Sequence, residues 1–306
     1  MAKYVRLKKI IENKSKSRTN IFVQIRPNKK FDWFRNNILQ SEIPVFTFGD
    51  QIVGTLNIEN LEESKVKHKG IVIRLLCQIS NSSTVLYTNC LSQIQLAEQG
   101  TISLPYASSF FFASVAFPFP SYNGHSLSVI YTVQAVFSRF IRSDLECNSP
   151  IFIFRPTSSP YNVVPKTSSI YYDPFKVKIE YSLNSTEFSY QDSIMGRISV
   201  VEAQEDSITS LTLRFIIKEK LKINTTSKKF QKSLCNYQLL DGTPLKPITT
   251  PFILQLAPFK LTTIKEPPIK TKYLIEFQLS TKDGAVTSAF DTIFLYQPFD
   301  HHSNPP

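Results

Sequence analysis

Glycine is scarce in this chain. The eight glycines among 306 residues form no phosphate-cradling P-loop, no GxGxxG turn and no GxSxG nucleophile elbow. Histidine is scarcer still, with four. His301 and His302 sit in a tail ending Ser-Asn-Pro-Pro, and His68 and His125 stand without a nearby Cys or His. General acid-base or metal chemistry needs convergent groups, and the local sequence suggests none. The four cysteines, Cys77, Cys90, Cys147 and Cys235, are far apart with no CxxC, so spacing gives neither a zinc site nor a redox pair, and reduced thiols are expected. The expectation is a protein that is not an enzyme, has no cofactor and no metal, and works through its surfaces.

Long apolar runs are missing too. The longest, Phe110 to Phe119, falls short of the roughly 20 residues that span a bilayer. Met1 to Ile11 mixes charges into its apolar residues, unlike a secretory signal, so a cytosolic chain is expected. The Asn-x-Ser/Thr triplets at Asn81, Asn184 and Asn224 then read as polar loop residues.

Hydrophobic residues, by contrast, make up 42% of the chain, with 24 Phe and 13 Tyr, enough to bury one or two cores. The formal charge of +11 is unevenly spread. Eleven basic and two acidic residues precede or include Arg35, whereas 24 basic and 22 acidic residues follow it. A basic arm on a nearly neutral body favours an anionic membrane or acidic protein over a nucleic-acid groove, which needs a basic stripe on the fold. A solvated extension is the other reading of the arm. Tyr4, Leu7 and Ile11 fall at helical spacing, so a short amphipathic helix is an expectation there.

Alternation with period two dominates the rest: Ile52, Gly54, Leu56, Ile58; Ile71, Ile73, Leu75; Leu127, Val129, Tyr131, Val133; Val177, Ile179, Tyr181. Pro, Asn, Ser and Asp clusters separate these runs, and an all-β fold of sandwiches follows. Past residue 40 only Leu91 to Ala97 departs toward a helical period, and it is short. The pattern also repeats. Asp50-Gln-Ile-Val-Gly-Thr-Leu-Asn-Ile58 matches Asp192-Ser-Ile-Met-Gly-Arg-Ile-Ser-Val200, an offset of 142. Arg74 matches Arg214 at an offset of 140, and Tyr131 matches Tyr273 at 142. Order and constant spacing point to duplication.

The duplication predicts a basic extension over 1–19, a first sandwich over 20–155, a proline-rich linker over 156–166, a second sandwich over 167–298 and a flexible tail over 299–306. Gly54 and Gly196 interrupt equivalent strands, where a bulge or a close backbone approach is expected.

Particular strings narrow the reading. Gly49-Asp-Gln-Ile-Val-Gly-Thr-Leu-Asn-Ile58, Lys67-His-Lys-Gly-Ile-Val-Ile73, Gln78-Ile79, Pro120-Ser-Tyr-Asn-Gly124, Tyr190-Gln-Asp-Ser-Ile-Met-Gly-Arg-Ile198 and above all Tyr237-Gln-Leu-Leu-Asp-Gly-Thr-Pro244, followed by Thr250-Pro-Phe-Ile253, are involved. Together with two tandem sandwiches they resemble the arrestin superfamily and, within it, the vacuolar protein sorting-associated protein 26 family, the arrestin-like subunit of retromer. The resemblance covers about residues 20 to 297. Cys77 stands where that family usually has glycine, Phe110 to Phe112 is unusually aromatic, and the arm through Arg18 is extra.

The resemblance implies two arrestin-like β-sandwiches in a noncatalytic retromer scaffold, cytoplasmic and peripheral on the endosomal membrane. Its implied partners are an α-solenoid subunit, vacuolar protein sorting-associated protein 35, with a sorting nexin and cargo tails, and no nucleic acid. Tyr237, Leu239, Leu240, Asp241 and Gly242 occupy the position of the solenoid site. By alternation alone Tyr237 and Leu239 share a face and Leu240 points away from it. Ile170, Tyr171 and Tyr172 match by location a strand edge to which cargo adds, and Lys3, Arg6, Lys8 and Lys9 are the candidate membrane contacts. Two alternatives stand beside this: the arrestin-like subunit of the retriever complex, and a general arrestin-like adaptor. Adaptors of that kind often carry PPxY, whereas Pro267-Pro268 here precedes Ile269-Lys270.

Overall fold

Wherever apolar and polar residues alternate, the backbone is extended and paired. The structure, a computed structural model, describes residues 5–9, 19–26, 34–36, 41–60, 64–81, 84–113, 115–155, 165–189, 191–223, 225–245, 247–257, 263–265 and 267–296. None of these lies in an α-helix. They fall into two compact units, one drawn from residues up to 123 and from 127–155, the other from 124–126 and from the described residues between 165 and 296.

The first unit contains Val5–Lys9 (β1), Thr19–Ile25 (β2), Phe34–Asn36 (β3), Ser41–Ile43 (β4), Val45–Thr47 (β5), Ile52–Asn60 (β6), Lys65–His68 (β7), Gly70–Asn81 (β8), Thr84–Ala97 (β9), Gly100–Ser103 (β10), Tyr106–Phe112 (β11), Tyr122–Asn123 (β12), Leu127–Ser138 (β13) and Leu145–Phe154 (β14). One sheet runs β1-β2-β6-β11 and the other β5-β14-β13-β8-β9, with β12 beside β13. Strands β3 and β4, and β7 and β10, form two separate ribbons. Alternate residues of both sheets make the core: Ile21, Val23, Leu56 and Ile58 from one, Ile73, Leu75, Tyr131 and Val133 from the other. The buried Tyr131 hydroxyl donates to the Phe119 carbonyl at 2.6 Å, which satisfies its polar end inside the core.

The second unit contains Lys166–Tyr172 (β15), Val177–Leu183 (β16), Glu187–Ser189 (β17), Ser193–Glu202 (β18), Ile208–Ile223 (β19), Thr226–Asp241 (β20), Ile248–Gln255 (β21), Ile269–Thr281 (β22) and Val286–Tyr296 (β23). Its sheets run β15-β16-β18-β21 and β17-β23-β22-β19-β20. They enclose a core that includes Ile179, Tyr181, Ile198, Leu213, Phe215, Tyr273 and Phe277. The Tyr181 and Phe277 rings lie 4.2 Å apart between centroids.

Both units repeat one strand order, β5-β14-β13-β8-β9 answering to β17-β23-β22-β19-β20. Gln134 pairs with Arg74 and Tyr131 with Cys77, while Glu276 pairs with Arg214 and Tyr273 with Ile217, so the offsets of 142 and 140 hold across the ladder. The parallel pairs Phe152 with Val45 and Phe294 with Glu187 repeat at 142 as well. Asp50 accepts a hydrogen bond from the Thr47 backbone N–H, and Asp192 accepts one from that of Ser189, each at 2.6 Å. The matched Asp of the repeat is therefore a turn residue that satisfies an otherwise orphan donor.

Two sequence expectations are corrected. Val5–Lys9 is a strand, with Val5 opposite Ile25 and Leu7 opposite Val23. Val-Arg-Leu-Lys alternates with period two, which outweighs the helical spacing of Tyr4, Leu7 and Ile11; Tyr4 and Ile11 lie outside the described residues. Leu91 to Ala97 belongs to β9, where the register against β8 slips between Ile71 and Val72, Leu75 and Leu76, and Ile79 and Ser80. Each slip leaves one β9 residue without an opposite number: Leu96, Leu91 and Leu86. Such β-bulges break alternation, which is why this strand imitates a longer period.

Candidate binding surfaces

Strand β20 carries bulges of the same kind. Leu211 pairs with Leu240 and Thr212 with Gln238, leaving Leu239 as the extra residue; Leu234 is extra in the same way between Cys235 and Ser233. The sequence expectation that Leu240 turns away from the core is therefore corrected. A bulge removes the strict alternation, and both Leu239 and Leu240 pack, partly buried, against the second core. Tyr237 is instead 49% exposed.

The turn that follows is held firmly. Gly242 has φ +80°, with nothing near where a Cβ would lie, so the requirement here is conformational. Its N–H donates to the Thr209 carbonyl at 2.9 Å, and the Thr243 hydroxyl accepts from the Ile208 N–H at 2.6 Å. Beyond it Leu245 is 94% exposed and Ile248 is exposed. The apolar groups available at this end are Tyr237, Leu245 and Ile248. The sequence reading had only the first, because its motif stopped at Pro244.

Strand β15 is a sheet edge. It pairs with β16, Ile170 opposite Ile179, and no described strand takes its other side. Ile170 is buried, whereas Tyr171 is exposed and its hydroxyl donates to Asp173 at 3.1 Å. The Tyr172 hydroxyl donates to Asp283 at 2.6 Å. Those bonds raise the pKa of both tyrosines, and bonds from the Thr281 and Tyr172 hydroxyls hold the Asp283 carboxyl below its usual value. At the strand's start Lys166 forms an ion pair with the buried Asp291. Residue 166, expected as the end of a linker, is thus already within the second sheet; 156–164 lie outside the described residues.

Of the candidate membrane contacts, Arg6, Lys8 and Lys9 lie on β1 at the edge of the first unit's sheet, and Lys3 lies outside the described residues. The tail over 299–306 also lies outside them.

Burial disfavours the charged forms of two groups in the first unit's interior, Cys77 and His68. Burial pushes the Cys77 thiol up to about 11 and lowers the pKa of His68, which lies against the Phe137 ring at 5.5 Å. Among the described residues no cluster of three or more His, Cys, Asp or Glu could hold a metal ion, and no helix is long and apolar enough to cross a membrane.

Two β-sandwiches in tandem with a shared strand order make this an all-β protein of the arrestin-like class. Comparison with known proteins narrows the class. The chain belongs to the vacuolar protein sorting-associated protein 26 family, whose model matches residues 14–282. It is 24% identical over 244 residues to vacuolar protein sorting-associated protein 26B of Arabidopsis thaliana, covering 78% of each chain. It is 24% identical over 242 residues to protein 26A of the same plant, again covering 78% of each. With vacuolar protein sorting-associated protein 26 of Schizosaccharomyces pombe it shares 21% identity over 250 residues, 79% of this chain and 80% of the relative.

Proposed function

We propose that this chain is a noncatalytic scaffold subunit of the retromer cargo-selective complex, acting in endosomal sorting and in retrieval from endosome to Golgi. The observation that carries the proposal is the end of β20: a bulged strand and a pinned Asp-Gly turn flanked by exposed Tyr237 and Leu245, within the string most like the family's. The surface formed by Tyr237, Leu239, Leu240, Asp241 and Gly242 would receive the α-solenoid subunit. Because Leu240 packs against the core, a charge there disturbs folding and binding together. The discriminating variant is Tyr237→Asp with Leu245→Asp, both at exposed side chains. It should weaken capture of the solenoid by about 30-fold, the loss expected for an apolar anchor worth about 2 kcal/mol, with an unchanged melting temperature. Unweakened capture would displace the site. Recovery of the retriever solenoid in place of the retromer one would support the alternative assignment.

Cargo tails would add to the free edge of β15 at Ile170, Tyr171 and Tyr172, since backbone pairing supplies affinity and alternate side chains supply selection. Bound cargo peptide should slow amide exchange over Ser168 to Tyr172; unchanged exchange there would remove this strand from the cargo path. Membrane attachment would be peripheral, with Lys3, Arg6, Lys8 and Lys9 meeting anionic headgroups and a sorting nexin completing the contact.

A further inference from the structure

The near-neutral charge of the chain beyond Arg35 conceals a concentrated basic face on the second unit. Lys218, Lys220 and Lys222 alternate along β19 and are all exposed, while the residues between them, Glu219 and Leu221, are buried. Register places more lysine directly across from them. Lys220 pairs with Lys229 on β20 and with Lys270 on β22, and Lys218 pairs with Lys272. Paired residues share a face of the sheet, so six lysines cover a flat area of about 10 Å by 13 Å, from the ordinary strand and residue spacings. Lys229, Lys270 and Lys272 are also exposed.

Like charges placed directly opposite one another destabilise a sheet. Three such pairs meet here: Lys220 with Lys229, Lys220 with Lys270, and Lys218 with Lys272. The duplicated fold supplies a control. The residues equivalent to Lys218, Lys220, Lys270 and Lys272 in the first unit are Gln78, Ser80, Ser128 and Ile130, paired in the same way. There the opposed Ser80 and Ser128 hydroxyls are hydrogen-bonded at 2.6 Å. The architecture therefore does not call for charge at these positions. The nearest carboxylate along that face of β22, Glu276, is already bound to Arg214 at 3.0 Å.

We propose that this six-lysine face is a docking surface for an anionic lipid bilayer, separate from the N-terminal arm and independent of the solenoid assignment. Charge complementarity fixes the sign of the occupant, and side-chain chemistry selects among anions. The six cations are ammonium groups on flexible stems, suited to a diffuse layer of headgroups, and none is the planar fork that grips a single phosphate bidentately. None of the six positions is aromatic, and Phe290, exposed on β23, lies opposite Glu276 rather than among the lysines, so bases would find no ring within the cluster to stack on. Lys222 and Leu240 lie toward opposite ends of the β19–β20 pair, so lipid and a partner at the Asp-Gly turn could be held together.

The test is co-sedimentation of the full chain with phosphatidylcholine vesicles, with and without phosphatidylserine, using a variant that borrows the first unit's residues: Lys218→Gln, Lys220→Ser and Lys270→Ser. Wild type should bind only the phosphatidylserine vesicles and lose them as salt is raised. The triple variant should bind about 100-fold more weakly, at roughly a factor of five for each lysine, with its melting temperature not lowered. A chain with Arg6, Lys8 and Lys9 neutralised should retain the lysine-dependent component. Wild-type binding by the triple variant would overturn the proposal. So would a lysine-dependent preference for soluble polyglutamate or duplex DNA over the vesicles.

Discussion

Gly54 and Gly196 show how one atom can fix a residue's identity. A Cβ on Gly54 would overlap the Phe110 ring and come within 2.7 Å of the Gln24 carbonyl; on Gly196 it would overlap the Ser182 carbonyl and the Phe252 ring. Phe110 and Phe252 sit opposite these glycines at the same 142-residue offset. The sequence left a bulge and a close approach both open. It could not decide, because the deciding ring lies on a strand far along the chain. The close approach is what occurs, and it gives Phe110, which looked like a departure from the family, a packing role over bare backbone. Gly196→Ala, which meets a carbonyl that cannot rotate away, should cost about 1–3 kcal/mol as overpacking. Gly54→Ala should be similar. Thermal unfolding of each variant measures this, and an unshifted melting temperature would show that the sheets yield.

Among elements, the bulged strands β9 and β20 were the least legible. Leu86, Leu91 and Leu96 fall at five-residue spacing in β9, as do Leu234 and Leu239 in β20. An extra residue every five defeats a period-two reading, although the pairing strands β8 and β19 alternate cleanly and were legible. The edge strand β15 was legible by position, but its tie to the β22–β23 turn was not, because Tyr172 and Asp283 are 111 residues apart. That tie sets a pH window. The Asp283 carboxyl has a lowered pKa, first from the Thr281 hydroxyl and then from Tyr172, so its contribution to stability is fully present above the usual carboxylate value and is lost as pH falls through the lowered one. Tyr172 has a raised pKa, chiefly from the same bond, so its contribution is present below the usual phenol value and is lost as pH rises through the raised one. Tyr172→Phe should therefore move the Asp283 carboxyl upward in an NMR titration while leaving it below its ordinary value, because the Thr281 bond remains. An unmoved Asp283 would show that the two groups do not meet in solution.

At the scale of the molecule, duplication was the most legible feature, since a pattern need only match itself to be seen. Its consequence is energetic. The second core draws every member from 170 to 295, with Ile170, Val177 and Ile179 on one sheet facing Leu213, Phe215 and Tyr273 on the other. The Lys166 ion pair and the Tyr172 bond also close within the second unit. A unit of this size with its own continuous core should fold without its neighbour. A chain starting at Pro156 and running to the end should unfold in one cooperative transition, with a calorimetric enthalpy of about 100 kcal/mol from the usual per-residue value, equal to its van't Hoff enthalpy. It should also keep the proposed solenoid surface and the proposed six-lysine docking face, both built on β19 and its neighbours, and so bind phosphatidylserine vesicles without the arm. A broad, non-cooperative transition would mean that the two repeats, though alike in register, are stable only as a pair.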